Sequence, residues 1–389
     1  MAGSGITITP VSTKSERGEW VDFVYARNAD DPNFVPQLRD EEIKKYTAGG
    51  NPFWEHAKGQ LFLARDAAGK VVGRISAHID ELALSQPPEQ GMGPGTGNWG
   101  GLEAYEQSTA AKLIATAEDW LRSEGMTAVL APMTLSVWEE PGLLIKGFDH
   151  PPTYMMGHGR AEEAAWLPAA GYQPVKKLAT YALDIRPEFP PLIQRIVAAG
   201  ERNARIKVRG VEMKHFARDV GIVCDILNDA WSDNWGFVPF TESEIAYTAK
   251  NLKILVKSDL IMIAEYDGVP VAFMMTLPDM NEAQKRNCGK NGKPSLLGWA
   301  KLALWLMRPK VRTMRVPLMG VRKSLQSSRM ASQLAFMMIE YIRRAAISNY
   351  GASRGEIGWI LDDNQGMNSI AREIHSEVNK EYMIYRKEL

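Results

Sequence analysis

The segment TMRVPLMGVRKSLQSSRMASQL, residues 313–334, holds the densest set of side chains able to do chemistry. Its β-rich run RVPLMGV contains Pro317, which has no amide proton and so predicts a bulge or broken pairing inside a strand. The chain then turns through a polar, basic loop and is expected to enter a helix at Ser327-Ser328, residue types that suit an N-cap. A helix N-terminus offers unpaired backbone amides and the positive end of the helix dipole. With Arg322, Lys323, Gln326 and Arg329 beside it, such a loop is suited to hold an anion, above all a phosphate.

The surrounding charge points the same way, although the total conceals it. The 389 residues carry 46 Lys+Arg and 46 Asp+Glu, a formal net charge of zero that argues against a generic nucleic-acid binder. Yet residues 283–339 contain no Asp or Glu. They do contain Lys285, Arg286, Lys290, Lys293, Lys301, Arg308, Lys310, Arg312, Arg315, Arg322, Lys323 and Arg329. A run this one-sided reads either as a solvated face or as a surface for an anionic partner. Inside it lies LLGWAKLALWLM, residues 296–307, which is too short to span a bilayer. It suits a helix that is buried in a core or one that lies at a membrane interface.

Several classes are excluded by what is scarce. Two cysteines, Cys224 and Cys288, cannot build a disulfide framework or a zinc ribbon, and six scattered histidines form no HxxxH or HxH pair, so no metal is expected. No apolar stretch approaches the ~18 residues of a membrane span, and the start lacks the features of a leader. The expected location is cytoplasmic, extended by peripheral contact of 290–312 with the anionic inner face of a membrane.

The elements that must position this loop recur along the chain. QLFLARDAAGKVVGRISAHI (60–79) and LIMIAEYDGVPVAFMMTL (260–277) both read as two alternating strands around a turn, at Ala68-Gly69 and Asp267-Gly268. Each follows a helical stretch, 16–28 and 219–231. Each precedes a long amphipathic helix, carrying Leu113, Ile114, Ala117, Trp120 and Leu121 in one half and Leu334, Met337, Met338, Tyr341 and Ile342 in the other. A strand follows each helix, at 127–133 and 356–361. Two hairpins can resemble each other by chance, but the matching order of later elements favours a true repeat, β-α-ββ-β-α-β twice. The joint falls near 186–205, giving two similar α/β domains at 1–188 and 206–389 around a linker at 189–205. The glycine-rich GMGPGTGNWGG (91–101) lacks the context of a phosphate loop and is expected to be a flexible hairpin or surface loop.

The loop at 319–334 resembles the acyl-CoA motif of the GCN5-related N-acetyltransferase (GNAT) superfamily, with Val321, Gln326, Ala331 and Leu334 at matching positions. Lys323 stands where the motif has proline and Arg329 where it has its first glycine. The resemblance implies a mixed, mostly antiparallel twisted sheet flanked by helices in each domain. It implies acyl-CoA or acetyl-CoA as co-substrate, pantetheine along Met319, Gly320 and Val321, and pyrophosphate at Arg322, Gln326, Ser327, Ser328, Arg329, Met330 and Ala331. Asn364 falls at a familiar position after the fifth strand, whereas the family's frequent tyrosine acid is replaced by Ala371. The first half resembles a degenerate copy without a phosphate loop. Strings in both halves, among them NPFWEHA (51–57), APMTLSVWEEPGLLIKGFD (131–149), NWGFVP (234–239) and WILDDN (359–364), are similar to one bacterial tandem-GNAT group that includes bacterial ceramide synthases. That likeness implies an N-acyltransferase with a sphingoid long-chain base as acceptor. An acetyltransferase for a small soluble amine and a non-catalytic acyl-CoA-binding pair are the alternatives.

Such chemistry needs a neutral amine, a donor for the tetrahedral oxyanion and a proton for the leaving thiolate. Amides around Met319-Gly320 could supply the donor. Glu356, at the start of a strand beside the bulge, is the first candidate base and Asp279, ending the preceding hairpin, the second; each also reads as an ordinary strand-end acid. Asn234, Trp235 and Trp359 are candidates for the acceptor site, with core or capping roles as the alternative for the first two. Asp362, Asp363 and Asn364 fit an Asx turn or N-cap as well as substrate positioning.

Overall fold

The computed structural model describes residues 5–389; the first four, part of the start read above for a leader, lie outside the described residues. The chain divides into two units. One comprises the chain up to Leu178 with Ala283–Ala300 and Lys380–Leu389, and the other comprises Ala179–Glu282 with Lys301–Asn379. The division therefore departs from contiguous halves, because the last ten residues belong to the first unit. There Tyr385–Glu388 pair antiparallel with Ala128–Ala131. The expected linker at 189–205 is largely a helix, Pro191–Glu201, whose Ile193 and Val197 are buried in the core of the second unit.

In the first unit β1 (Thr7–Pro10), α1 (Lys14–Arg27) and α2 (Arg39–Lys45) precede β2 (Ala57–Arg65), β3 (Val71–Asp80) and β4 (Thr96–Ala104). They are followed by α3 (Gln107–Ser123) and β5 (Ala128–Ala131). The strands lie in the order β1-β2-β3-β4-β5, antiparallel throughout except for the parallel β4-β5 pair. α1 starts on a reciprocal cap: the Glu16 amide donates to Thr13 Oγ1 and the Thr13 amide to Glu16 Oε2. The predicted stripe of α3 is real, with Leu113, Ile114, Ala117 and Leu121 buried in a core shared with Ile75, Ala77, Trp99 and Val129.

One expectation fails in this unit. Much of the glycine-rich stretch is no surface loop but the first half of β4, with Thr96–Gly100 buried. Its glycines are there because other groups come too close for a side chain. A Cβ on Gly97 would sit 2.5 Å from Leu121 Cδ2, and one on Gly100 only 2.2 Å from the Met133 carbonyl oxygen.

The second unit repeats the plan. After α4 (Pro191–Glu201) come β6 (Ile206–Gly210), α5 (Phe216–Trp231), α6 (Glu242–Leu252), β7 (Ile261–Tyr266) and β8 (Val269–Pro278). Two helices, α7 (Met280–Asn287) and α8 (Leu296–Met307), whose stretch within Ala283–Ala300 belongs to the first unit, intervene in the chain before β9 (Thr313–Val321), α9 (Arg329–Tyr350), β10 (Arg354–Leu361) and α10 (Gln365–Glu373). The strand order is β6-β7-β8-β9-β10, again antiparallel except for the parallel β9-β10 pair. The repeat read from the sequence is thus a repeat of topology. Leu334, Met337, Met338 and Ile342 of α9 are buried as its stripe predicted.

Helix α8 leaves much of the apolar run exposed. Leu302 is buried, but Leu296 is 91% exposed, Leu304 62% and Met307 70%, and Leu297 and Trp299 are also exposed. A core helix would not leave this face in water. Among the described residues, no helix is long and apolar enough to cross a membrane.

Because the Met133 carbonyl cannot retreat without breaking the local backbone, Gly100→Ala is expected to cost about 1–3 kcal/mol. The check is a lowered thermal unfolding midpoint; an unchanged midpoint would show that the strand gives way freely.

Candidate active site

The central feature of the second unit is a parallel pair that stops early. β9 and β10 are in register from Thr313↔Arg354 only to Val316↔Ile357. At that point Pro317 has no amide to offer, and the β8-β9 register also shifts between Met275 and Leu277, the bulge that the proline predicted. Beyond it the two strands part and the chain encloses a cleft of about 550 Å³.

This cleft gathers many of the residues singled out from the sequence. Met319, Gly320 and Val321 of β9, Gln326, Ser327 and Ala331 of the loop and helix start, Asn364, and Asn234 with Trp235 all line it. Trp359 lines a small hollow that shares Trp231, Asn234, Met319 and Asn364 with the cleft, and its ring lies 6.2 Å from that of Trp231. Arg322, Ser328, Arg329 and Met330 are not in the lining.

The loop is held by bonds that explain these positions. Gln326 Nε2 donates to the carbonyls of Val321 (2.8 Å) and Ala230 (3.1 Å), so this side chain tightens the turn. Arg322 is ion-paired with Asp225 and donates through Nε to the Pro270 carbonyl. Lys323 Nζ lies 2.6 Å from Asp233, and its amide donates to Asp229. Ser328 is the N-cap of α9 by position, but its hydroxyl donates back to the Leu325 carbonyl (2.6 Å) and does not cap the helix. No side chain caps the first turn, so its amides retain their capacity for an anion. Asn364 is an N-cap in full, its side chain accepting from the Met367 amide (3.1 Å).

Neither candidate base reaches the cleft. Glu356 is fully buried, accepting from Arg354 Nη2 and Asn379 Nδ2 at 2.8 Å each, and it stands opposite Arg315 in the parallel register. Asp279 lies beside Thr313 at the other end of β9, about 20 Å along the strand from Met319 at ~3.3 Å per residue. Its carboxylate accepts from the Asn281 amide (3.1 Å) where α7 begins, so its place is that of a cap. The carboxylates that do line the cleft are Asp233, Asp363 and Glu373.

Two features were missed in the sequence. Trp231, the last residue of α5, lines both hollows and donates from Nε1 to the Met319 carbonyl (3.1 Å). Asp225, Asp229 and Asp233 anchor the basic loop, and their four-residue spacing was the available signal. An almost wholly apolar cavity of about 50 Å³ lies between β8-β10 and helices α9 and α10 and shares Met319, Met367 and Ile370 with the cleft. Among the described residues no group of three or more His, Cys, Asp or Glu could hold a metal ion.

Twin units with this strand order and a splayed parallel pair define a tandem GNAT fold, and solved structures agree. The tandem GNAT protein from the clavulanic acid biosynthesis pathway superposes with a TM-score of 0.56 over 98% of each chain at 12% identity. A GCN5-related N-acetyltransferase from Sphaerobacter thermophilus gives 0.53 over 98% of this chain and 95% of that one, also at 12%. At such identities the likeness shows the fold alone. No protein-family model matches the chain.

Whole-length relatives go further. Bacterial ceramide synthase from Caulobacter vibrioides (strain NA1000 / CB15N) is 38% identical over 386 residues, covering 99% of this chain and 98% of that protein. Protein YghO of Escherichia coli (strain K12) is 36% identical over 379 residues, covering 97% and 94%. The chain belongs to the family of bacterial ceramide synthase, and it is an N-acyltransferase.

Glu356→Gln is expected to lower the unfolding midpoint and to reduce turnover and CoA affinity together, because it unpairs a buried, hydrogen-bonded carboxylate. A selective loss of kcat with unchanged stability would instead return Glu356 to the role of base.

Proposed function

We propose that the protein transfers a long-chain acyl group from acyl-CoA to the primary amine of a sphingoid base, and that the second unit's cleft is where it does so. The observation that carries the site is the cleft itself, where β9 parts from β10 beside an uncapped helix start. Pantetheine runs along the open edge of Met319–Val321, and the pyrophosphate sits at the first turn of α9 around Ser327–Ala331. Because Arg322 and Lys323 are neutralised by Asp225 and Asp233, the helix amides and Arg329 are assigned the phosphate. The amine attacks the thioester carbonyl, a C–N bond forms, and the C–S bond breaks as the thiolate leaves and takes a proton. Amides around Met319-Gly320 hold the oxyanion. The open cleft lets solvent receive the ammonium proton, so no buried base is invoked.

Two observations support lipid substrates. The apolar cavity beside the cleft, with its four methionines Met274, Met314, Met319 and Met367, offers an adaptable wall to an acyl chain. The exposed apolar face of α8, with Lys290, Lys293, Arg308, Lys310 and Arg312 flanking it in sequence, matches an anionic membrane surface in both hydrophobicity and charge. Through it the protein docks peripherally where its acceptor resides.

Purified protein given sphinganine and a radiolabelled long-chain acyl-CoA is expected to form the amide. Acetylation of a small-amine panel with no lipid amide would defeat the lipid reading while keeping the fold's chemistry. In flotation, the protein is expected to rise with vesicles containing phosphatidylglycerol and not with neutral ones. Leu297→Asp with Leu304→Asp should abolish that while leaving activity on detergent-dispersed substrate; unchanged flotation would remove α8 from membrane docking.

A further inference from the structure

The first unit has a splayed parallel pair of its own, and nothing so far gives it work. β4 and β5 are in register only from Thr96↔Ala128 to Asn98↔Leu130, and Pro132 follows directly on β5. In the space that opens lies a cavity of about 100 Å³, room for roughly three water-sized groups. Its walls are not those of a phosphate site. Four carboxyl groups line it, those of Glu42, Glu103, Glu140 and Glu163, against the two cations Lys45 and Arg74.

Lys45 is fully committed and Arg74 in part, since the Arg74 Nε has no hydrogen-bond partner among the described residues. Lys45 is ion-paired with Glu42 (3.3 Å) and with Glu139 (3.6 Å). Arg74 lies 3.8 Å over the Trp20 ring and donates through Nη1 to the Trp20 carbonyl. Two further polar atoms of residues on the cavity wall have no hydrogen-bond partner among the described residues: Glu163 Oε1 and His158 Nδ1. Both side chains are 7% exposed. His158 Nε2 is bonded to the Asp31 carboxylate at 2.8 Å, which leaves Nδ1 as the ring nitrogen without a partner. Around Glu163 stand Arg27, 3.6 Å from Oε1, the Arg160 amide on the other oxygen, and the carboxyls of Glu162 and Glu103. Buried acceptors facing an excess of carboxylates call for a donor that carries positive charge.

The geometry points to a binding site for a small primary ammonium group in the first unit, held by Glu163 and His158 within the Glu103–Glu140 carboxylate wall. Its ligand is an alkylammonium of three or four heavy atoms, or the amine end of a longer molecule whose carbon chain meets Trp99, Trp166 and Leu167. The titration of the site agrees. Burial, with the Glu103 carboxylate adding to it, pushes the Glu163 carboxyl up to about 8, and burial also raises Glu103 and Glu140. Burial therefore favours the protonated form of Glu163 while the cavity is empty, and an arriving cation displaces the proton.

The site is tested without any acyl transfer, so its failure is separable from failure of the function proposed above. Calorimetry on the full chain at pH 7 compares 2-aminoethanol with ethylene glycol, which has the same size and no charge. The amine is expected to bind at least tenfold more tightly. Repeating the titration in buffers of different ionisation enthalpy should reveal proton release. Glu163→Gln, an isosteric change, should weaken 2-aminoethanol at least tenfold and abolish the proton release, with CoA binding unchanged as the control for folding. Equal affinity of the two probes, no binding of the amine, or undiminished binding by E163Q would each overturn the inference. The comparison of probes on the unaltered protein stands even where the variant folds poorly.

Discussion

Each unit depends on a parallel strand pair that cannot be continued. Three or four residues of register hold β4 to β5 and β9 to β10, and a proline then withdraws the donor that the next rung needs. In the second unit the proline is inside β9; in the first it follows β5. Backbone groups on the parted edges still require partners, and water or a ligand must supply them. That unmet requirement makes a cleft in the middle of a sheet, where side chains from strands and helices converge on a backbone already prepared to bind. The antiparallel hairpins, the capped α1 and the stripes of α3 and α9 serve to hold the gap open against collapse.

Charge is arranged around this gap with more economy than the one-sided run from 283 to 339 suggests. Arg322 and Lys323, at the mouth of the loop, are held by Asp225 and Asp233, while Asp229 takes the Lys323 amide. Their role is to fix the course of the backbone. Arg315 is buried opposite Glu356, and Lys310 bonds the Asn349 carbonyl. A run that reads as a single cationic face is thus distributed between anchoring bonds and solvent. The acidic excess of the remaining chain supplies several of the partners, so the zero sum reflects local pairing as much as balance at long range.

What the sequence made legible follows from what leaves a periodic trace. The hairpins alternate, α3 and α9 carry apolar residues every three or four positions, and Pro317 has one physical consequence wherever it stands. β4 left no such trace. Gly97 and Gly100 are chosen for the close approach of Leu121 and Met133, a contact between distant segments that no local pattern encodes. The direction of a strand-end acid is equally silent. Glu356 turns into the sheet toward Arg354 and Asn379, and Asp279 turns to the start of α7, and no apolar period marks either direction. Trp231 escaped notice for the complementary reason, since its importance lies in the Met319 carbonyl 88 residues away.

The repeated plan also shows how one backbone can serve opposite chemistries. In the second unit seven residues, 322–328, lead from β9 to α9, long enough to form a turn and to bring an uncapped helix start to the cleft. In the first unit only Tyr105 and Glu106 lead from β4 to α3, too few for an anion loop, and Glu103 stands one residue before the end of β4, where β9 has Gly320. With the loop shortened, the parted strands still demand partners, but the walls now repel phosphate. A duplicated fold that has lost its anion loop is therefore not left without a use. The same gap, lined by buried carboxyls and an unpartnered imidazole nitrogen, selects for the opposite charge, and the loss of one ligand class is the condition for acquiring the other.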